Sequence, residues 1–435
     1  MFAYCFRPSA VLRAFRLAGA VAAAFTVTVT LAQSPPALGL DQALRLAQDR
    51  SHQLPARDAA AAAARDMAVV AGQRPDPVLK ASLTNLPVDG PDRFSLTRDF
   101  MTMRSIGVMQ EFTRGGKLKA RSSRFEREAD VAEADRALVL ANLQRDTATA
   151  WLERYYQERV REILVSQRDE AGLQIESADA AYRGGRGAQA DVFLARSAVA
   201  RIDDRIAQTQ QQIDVATTRL ARWVGPPADG PLGASPALDA VRLHEQGLDA
   251  QLAREPRVVL LAQQEAMTQA DAEVAQTSKK SDISVEVMFS QRGPAYSNMI
   301  SVNLSMPLQW DQKRRQDREV AAKLASVEQA RLEREEATRV VAAEALAMLQ
   351  EWRSDQSRLT RYRTTLLPLA AERTRASIAA YRGGNGPLKA VLESRLGEID
   401  TRMEQLGLEL NAARLWAQLN YFVPVDQTTP SATRP

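Results

Sequence analysis

Apolar residues recur at alternating intervals of three and four along two long stretches of the chain. In the first, Ala134, Leu138, Ala141, Ala148, Leu152 and Tyr155 keep this spacing, with Arg145 breaking the stripe. In the second, Val341, Ala345, Met348, Trp352, Leu359, Tyr362, Leu366 and Leu369 keep it, interrupted by Asp355. Such stripes predict long helices over 117–183 and 313–382 that pack side by side as coiled coils. The first stretch is free of proline and would span about 100 Å at 1.5 Å per residue. Pro368 predicts a kink or local break in the second. Shorter return helices are expected over 188–223 and 388–421.

Elsewhere the period changes to two. Ile106, Val108 and Phe112 alternate with Ser105, Gly107 and Glu111. Ile283, Val285, Val287 and Phe289 alternate with Ser284, Glu286, Met288 and Ser290, and a third run follows from Ile300 to Leu308. With a less distinct strand before Pro91, this gives two hairpins, about 78–112 and 282–308, hence four strands. Strands of about ten residues, apolar on one side and small or polar on the other, suit a transmembrane β-barrel. A soluble antiparallel sheet packed on a core has the same pattern. Four strands cannot close a barrel around a lumen, and an open sheet in lipid leaves unpaired edges. Strands in a membrane therefore require several chains to share one barrel.

The turn between long and returning helix occurs twice. Ala181-Tyr182-Arg183-Gly184-Gly185-Arg186-Gly187 is matched about 200 residues later by Ala380-Tyr381-Arg382-Gly383-Gly384-Asn385-Gly386. Glycine ends a helix and reverses the chain because it adopts φ > 0 without a Cβ penalty. Short helices head each half: one expected to be capped by Asp41, one opened by Pro55, and an echo through Leu243, Leu248 and Leu252 followed by Pro256. Pro55 and Pro256 keep nearly the same period as the turns. The domain plan is a leader over 1–32, a first repeat over 33–225, a linker over 226–237, a second repeat over 238–423, and a disordered tail over 424–435.

Composition sharpens this plan. Arg7, Arg13 and Arg16 precede an uncharged run to Leu31 and the small pair Thr30 and Ala32, the pattern of a secretory signal peptide; a short transmembrane anchor is the alternative. Removing 1–32 lowers the net charge from +4 to +1, so basicity gives no case for a nucleic-acid partner. The single cysteine, Cys5, leaves with the leader, so packing or oligomerisation must stabilise the exported chain.

Signals of catalysis are weak. His52 and His244 stand alone in the head helices, without a second His or a Cys at metal-ligand spacing, so a surface or capping role is expected and no metal site is assigned. The glycine clusters follow helices, the wrong context for binding phosphate. The expectation is a non-enzyme without a cofactor. Met101, Met103, Met109, Met288, Met299 and Met306 gather around the strands. Thioethers bind soft metals, yet these side chains are assigned to both strand faces and no Cys or His joins them, so packing or lipid contact is expected.

In order along the chain, Leu40-Asp41-Gln42-Ala43-Leu44, Arg74-Pro75-Asp76-Pro77, Gln110-Glu111-Phe112 leading to Gly115-Gly116-Lys117, Leu366-Leu367-Pro368 and the doubled Tyr-Arg-Gly-Gly turns resemble the TolC-type outer-membrane efflux proteins of Gram-negative bacteria. The 110–117 segment resembles the branch serving heavy-metal resistance pumps of the RND type. The resemblance implies an α+β membrane protein: a homotrimer whose chains each give four strands to one twelve-stranded outer-membrane β-barrel. A long periplasmic α-helical coiled-coil barrel continues it, built from two internal repeats. It further implies a passive exit duct working with a periplasmic adaptor (membrane fusion) protein and an inner-membrane RND-type or other efflux pump, with heavy-metal cations or drugs as candidate cargo.

By the same resemblance, the glycine turns are the adaptor-docking tips, with Tyr182, Gly184, Gly185, Gly187, Gly383, Gly384 and Gly386. The closed iris falls to Asp191, Tyr381 and Glu393. One of two aspartates expected after the second turn is replaced by Ala390, so a double acid ring is not complete. Glu393 alone would form a cation-favouring ring of three, and a solvated Glu on a helix face gives the same sequence. The competing function class is a soluble periplasmic coiled-coil scaffold or adaptor.

Overall fold

The computed structural model describes residues 37–425, so the leader, Cys5 and all but two residues of the expected tail lie outside the described residues. The chain runs α1 (Leu40–Arg50), α2 (Gln53–Ala71), β1 (Val78–Thr84), β2 (Met103–Phe112), α3 (Gly115–Arg183) and α4 (Gln189–Val224). A 3-10 turn at Pro226–Asp229 leads to α5 (Leu248–Leu252), α6 (Pro256–Ser278), β3 (Ile283–Gln291) and β4 (Met299–Ser305). Then come α7 (Gln316–Arg361), a π turn at Tyr362–Leu366, α8 (Leu367–Arg382) and α9 (Leu388–Asn420).

Helix α3 is unbroken over 69 residues, about 100 Å of rod. Both α2 and α4 lie along it at different heights. Arg57–Asp135 and Arg136–Asp58 pairs fix α2 beside its first half, whereas Arg168–Asp203 and Arg219–Glu153 fix α4 beside its second. On the other side of α3, α6 and α9 each pack between α3 and α7. They abut where Phe422 meets Leu252, Val258 and Val341. The result is a layer in which continuous rods alternate with pairs of shorter helices.

The second rod is interrupted at the place the proline foretells. Pro368 has no N–H to give the carbonyl four residues back, and its ring crowds that carbonyl. The chain answers with the π turn at Tyr362–Leu366, a wider turn that absorbs the mismatch. Helix continues on both sides, so the feature is a local bulge in one rod.

Four further expectations need correction. Asp41 lies inside the first turn of α1 behind Gly39, without a capping hydrogen bond; its charge suits the helix N-terminus instead. Helix α2 begins at Gln53, two residues before Pro55. The Leu243–Leu252 echo is helical only over Leu248–Leu252, and His244 lies in the irregular segment ahead of it. At the C-terminal end, Val425 both donates to and accepts from the Gln144 amide, at 2.9 and 2.7 Å, so Pro424 and Val425 are docked chain rather than tail.

The core is a band across the middle of the rods, centred on fully buried Trp151, Leu152, Leu44 and Leu220. Two indoles tie irregular chain to it: Trp151 Nε1 donates to the Leu38 carbonyl and Trp416 Nε1 to that of Ala240, both at 2.9 Å. Arg154 is buried on α3 and donates to the carbonyls of Ala228 and Gly230 while pairing with Glu158. These bonds satisfy backbone acceptors that the proline-rich connection could not pair with itself.

Candidate functional site

The strands form one antiparallel sheet in the order β1-β2-β3-β4. Its registers stack side chains in rows. On one face lie Leu79, Val108, Val287 and Val302, and beside them Ala81, Ile106, Phe289 and Ile300. Among the described residues no other element covers this face: Ile300, Val302 and Leu304 are 75%, 68% and 71% exposed. Leaving such side chains in water forgoes about 1.5–3 kcal/mol each. The opposite face carries Lys80, Ser82, Ser105, Glu286, Ser290, Ser301 and Asn303. There Ser105 and Ser290 share a hydrogen bond at 2.8 Å, and Lys80 reaches across β2 to Glu286 at 2.6 Å. Gly107, opposite Lys80 in β2, presents no side chain to this face. A Cβ there would lie 2.5 Å from the Cγ of Met288.

Among the described residues, β1 and β4 each have one unpaired edge. The connections at the far end are locked together: Gly293 sits so close to the Thr97 carbonyl that a Cβ would meet it at 1.8 Å. At the near end, β4 stops at Ser305 before Pro307, and Trp310 follows, 88% exposed.

The doubled glycine turns lie at the other end of α3, a helix length away. In the first, Gly184 N–H donates to Ala180 O, Gly185 to Tyr182 O, and Arg186 to Ala181 O. The second repeats this with Gly383 to Ala379, Gly384 to Tyr381 and Asn385 to Ala380. The left-handed residue is Gly185 at φ +70° in one and Gly384 at +74° in the other. Gly184 and Gly383 keep helical φ of −79° and −76°. Gly187 and Gly386 serve a third purpose, since a Cβ on either would press to 3.1 or 3.2 Å from an alanine Cβ.

Between the turns, four helices make a small bundle. Ala178 of α3, Val192 and Ala195 of α4, and Leu388, Val391 and Leu392 of α9 are buried together, with Tyr381 of α8 packed against them. Tyr381 is therefore held by the bundle, whereas Tyr182 is 45% exposed. Asp191 faces back onto its own helix start, accepting from the Ala188 N–H at 3.2 Å. Ala188 has no side-chain acceptor, so only the returning half of a capping box forms. Glu393 extends from α9 into solvent, 3.7 Å from Lys389 one turn earlier. Asp191, Tyr381 and Glu393 thus share one end of the molecule but make no mutual hydrogen bond or ion pair.

Among the described residues there is no group of three or more His, Cys, Asp or Glu able to hold a metal ion. His52 sits at the start of α2, and the His244 backbone N–H donates to the Gln251 side-chain oxygen at 3.3 Å. No described helix is long and apolar enough to cross a membrane. One feature escaped sequence reasoning: an open cleft of about 800 Å³ where α9 abuts α6, lined by Arg145, Arg257, Glu255, Glu344 and Glu351. Burial pushes the Glu255 carboxyl above its ordinary range, against the opposing effect of the Val258 and Arg257 N–H groups.

No protein-family model matches the sequence, and no curated protein does. Solved structures do match. The outer-membrane channel OprN aligns with a TM-score of 0.75 at 16% identity, covering 90% of this chain and 91% of that one. The outer membrane protein VceC of Vibrio cholerae gives 0.71 at 16%, over 88% and 95%. CusC, studied for folding and transmembrane channel formation, gives 0.73 at 15%, over 88% and 92%. The chain has the fold of these outer-membrane channels across nearly its whole described length, the fold expected from the TolC-type resemblance.

Proposed function

We infer that this chain is one protomer of a homotrimeric channel in the outer membrane of a Gram-negative cell, serving as the passive exit duct of an efflux system. The observation behind this is the sheet: one face aliphatic and uncovered, the other polar, both edges unpaired. A lone four-stranded sheet cannot persist in lipid with free edges. Three copies joined edge to edge would close a barrel with the aliphatic rows outward and the Lys80–Glu286 side around a lumen. The solved channels of the same fold support that assembly, and the two similar halves of the chain fit two internal repeats.

The helical layer then continues the barrel into the periplasm, and the Gly185 and Gly384 turns form its far tips. There Tyr182, Gly184, Gly187, Gly383 and Gly386 offer a docking surface to a periplasmic adaptor, which links the duct to an inner-membrane pump. Asp191, Tyr381 and Glu393 are assigned to the constriction at that end. Heavy-metal cations are the first cargo to test, on the resemblance of 110–117.

The test is biochemical. The exported protein should leave the membrane only with detergent, run as a trimer, and conduct in planar bilayers. Recovery as a water-soluble monomer would overturn the assignment and favour a periplasmic scaffold.

A further inference from the structure

The sequence places the methionines on both sides of the strands; the registers place the four within strands on one. Met103, Met109, Met288 and Met299 all share the polar face with Ser105, Glu286 and Ser301. Met306 has the other parity but lies beyond the end of β4. Thioethers on the aliphatic face would be ordinary lipid contact. The strands otherwise give this face hydroxyls, an amide, a second carboxylate at Glu111, an ion pair and one aliphatic side chain, Val78 at its β1 edge, so four thioethers are out of keeping with it as packing residues.

Three of them are also aligned. Met109 is opposite Glu286, Met288 opposite Gly107 and Ser301, and Met299 opposite Ser290. Each therefore stands one strand over and two residues along from the last, a diagonal through β2, β3 and β4. Diagonal neighbours on one face are about 7–8 Å apart, within reach of long side chains. Gly107 strengthens the link, because the Met288 side chain fills the space its missing Cβ leaves, between Ser105 and Met109. Two carboxylates flank Met109 on this face: Glu286 is engaged by Lys80, and Glu111 accepts from the Thr113 hydroxyl at 3.3 Å.

We propose that Met109, Met288 and Met299 form a thioether path for a soft monovalent cation, Cu(I) or Ag(I), along the lumen of the barrel. Neutral sulfur donors favour such ions over Zn²⁺, which seeks nitrogen, thiolate or carboxylate. With the three donors themselves neutral, the ion is held weakly enough to move on, as conduction requires. Flexible, unbranched methionine suits a relay between adjacent donors. The proposal rests on this face being the channel lumen.

The experiment titrates Ag(I), a redox-inert stand-in, into detergent-purified exported trimer, from which the single cysteine Cys5 is lost with the leader so that no thiol competes, with metal content read after equilibrium dialysis. Binding is expected for the parent and at least tenfold weaker for Met109→Leu/Met288→Leu, which keeps side-chain volume. Met348→Leu/Met403→Leu, far from the strands, should bind like the parent, and Zn²⁺ should not bind the diagonal. Equal Ag(I) binding by all three proteins, or none by the parent, overturns the proposal. Potassium conductance, recorded on the same preparations, is expected to be unchanged by the leucines. Its absence from the parent would instead fault the channel assignment.

Discussion

Lys117 Nζ lies 2.6 Å from Asp282 Oδ2, joining the first turn of α3 to the residue that opens β3. Asp282 also accepts from the Arg114 N–H at 3.2 Å. Both side chains are largely withdrawn from water, 15% and 11% exposed. Burial alone would raise the Asp282 carboxyl; the Lys117 hydrogen bond and the Arg114 N–H outweigh it and hold it below the ordinary range. A depressed folded value contributes stability above the ordinary carboxylate pKa, about 3.9, and loses it as pH falls through the folded value. Asp282→Asn should therefore lower stability at neutral pH by about 1.5–3 kcal/mol, the range for bonds to charged groups. In thermal melts of the detergent-solubilised protein, the deficit against the parent should shrink at strongly acid pH. A pH-independent deficit would assign it to packing.

At the turns, the two glycines that need to be glycine are Gly185 and Gly384. An L-residue in that left-handed conformation costs about 1–2 kcal/mol. Gly185→Ala and Gly384→Ala should speed amide exchange locally at the tips and reduce efflux in a susceptibility assay while leaving the trimer intact. Gly184→Ala and Gly383→Ala, with ordinary helical φ and open van der Waals distance, should be silent in exchange. Equal effects at all four positions would remove the conformational explanation.

The contrast between these positions shows what a sequence can and cannot convey. Helix stripes, strand alternation and the Pro368 break are local, written in neighbours three, four or two residues apart, and they survive into the structure, except that Leu366 and Leu369 at the end of the second stripe are exposed. Which glycine of a Gly-Gly pair turns left-handed depends on hydrogen bonds back to Ala181 and Ala380, and both residues look alike in sequence. The methionine diagonal depends on register between strands far apart in the chain, where β2 pairs with β3 across about 180 residues. Arg154 was hidden for the same reason: its partners, Ala228 and Gly230, are backbone carbonyls with no side-chain signature.

Trp310 should report the membrane boundary. It stands five residues past the end of β4 and is 88% exposed, an arrangement expected of aromatic side chains at a lipid headgroup level. In vesicles containing brominated lipid, parent fluorescence should be quenched, and Trp310→Phe should lose most of the quenchable part. The remaining indoles include Trp151, Trp352 and Trp416, all buried among helices, and they should be shielded. Quenching that persists unchanged in Trp310→Phe would put the sheet's boundary elsewhere.

Glu393 offers the sharpest test of the constriction. Its side chain is 58% exposed and its contact with Lys389, itself 70% exposed, is a long 3.7 Å. Pairs of that kind contribute about 0.3–0.5 kcal/mol, too little to fix the carboxylate or cancel its field. Asp191, by contrast, is occupied at its own helix start by the Ala188 N–H. If three copies of Glu393 surround a narrow axis, Glu393→Gln should lower the K⁺ over Cl⁻ permeability ratio of the reconstituted trimer. Lys389→Gln should raise it, because removing the neighbouring ammonium strengthens the ring's negative potential. The effects should fade in high salt as the charges are screened. Asp191→Asn should act mainly on stability, by about 0.3–1 kcal/mol as a charge lost from the helix N-terminus. Permeability ratios from reversal potentials decide the matter: a ratio that ignores Glu393 but follows Asp191 would exchange their roles.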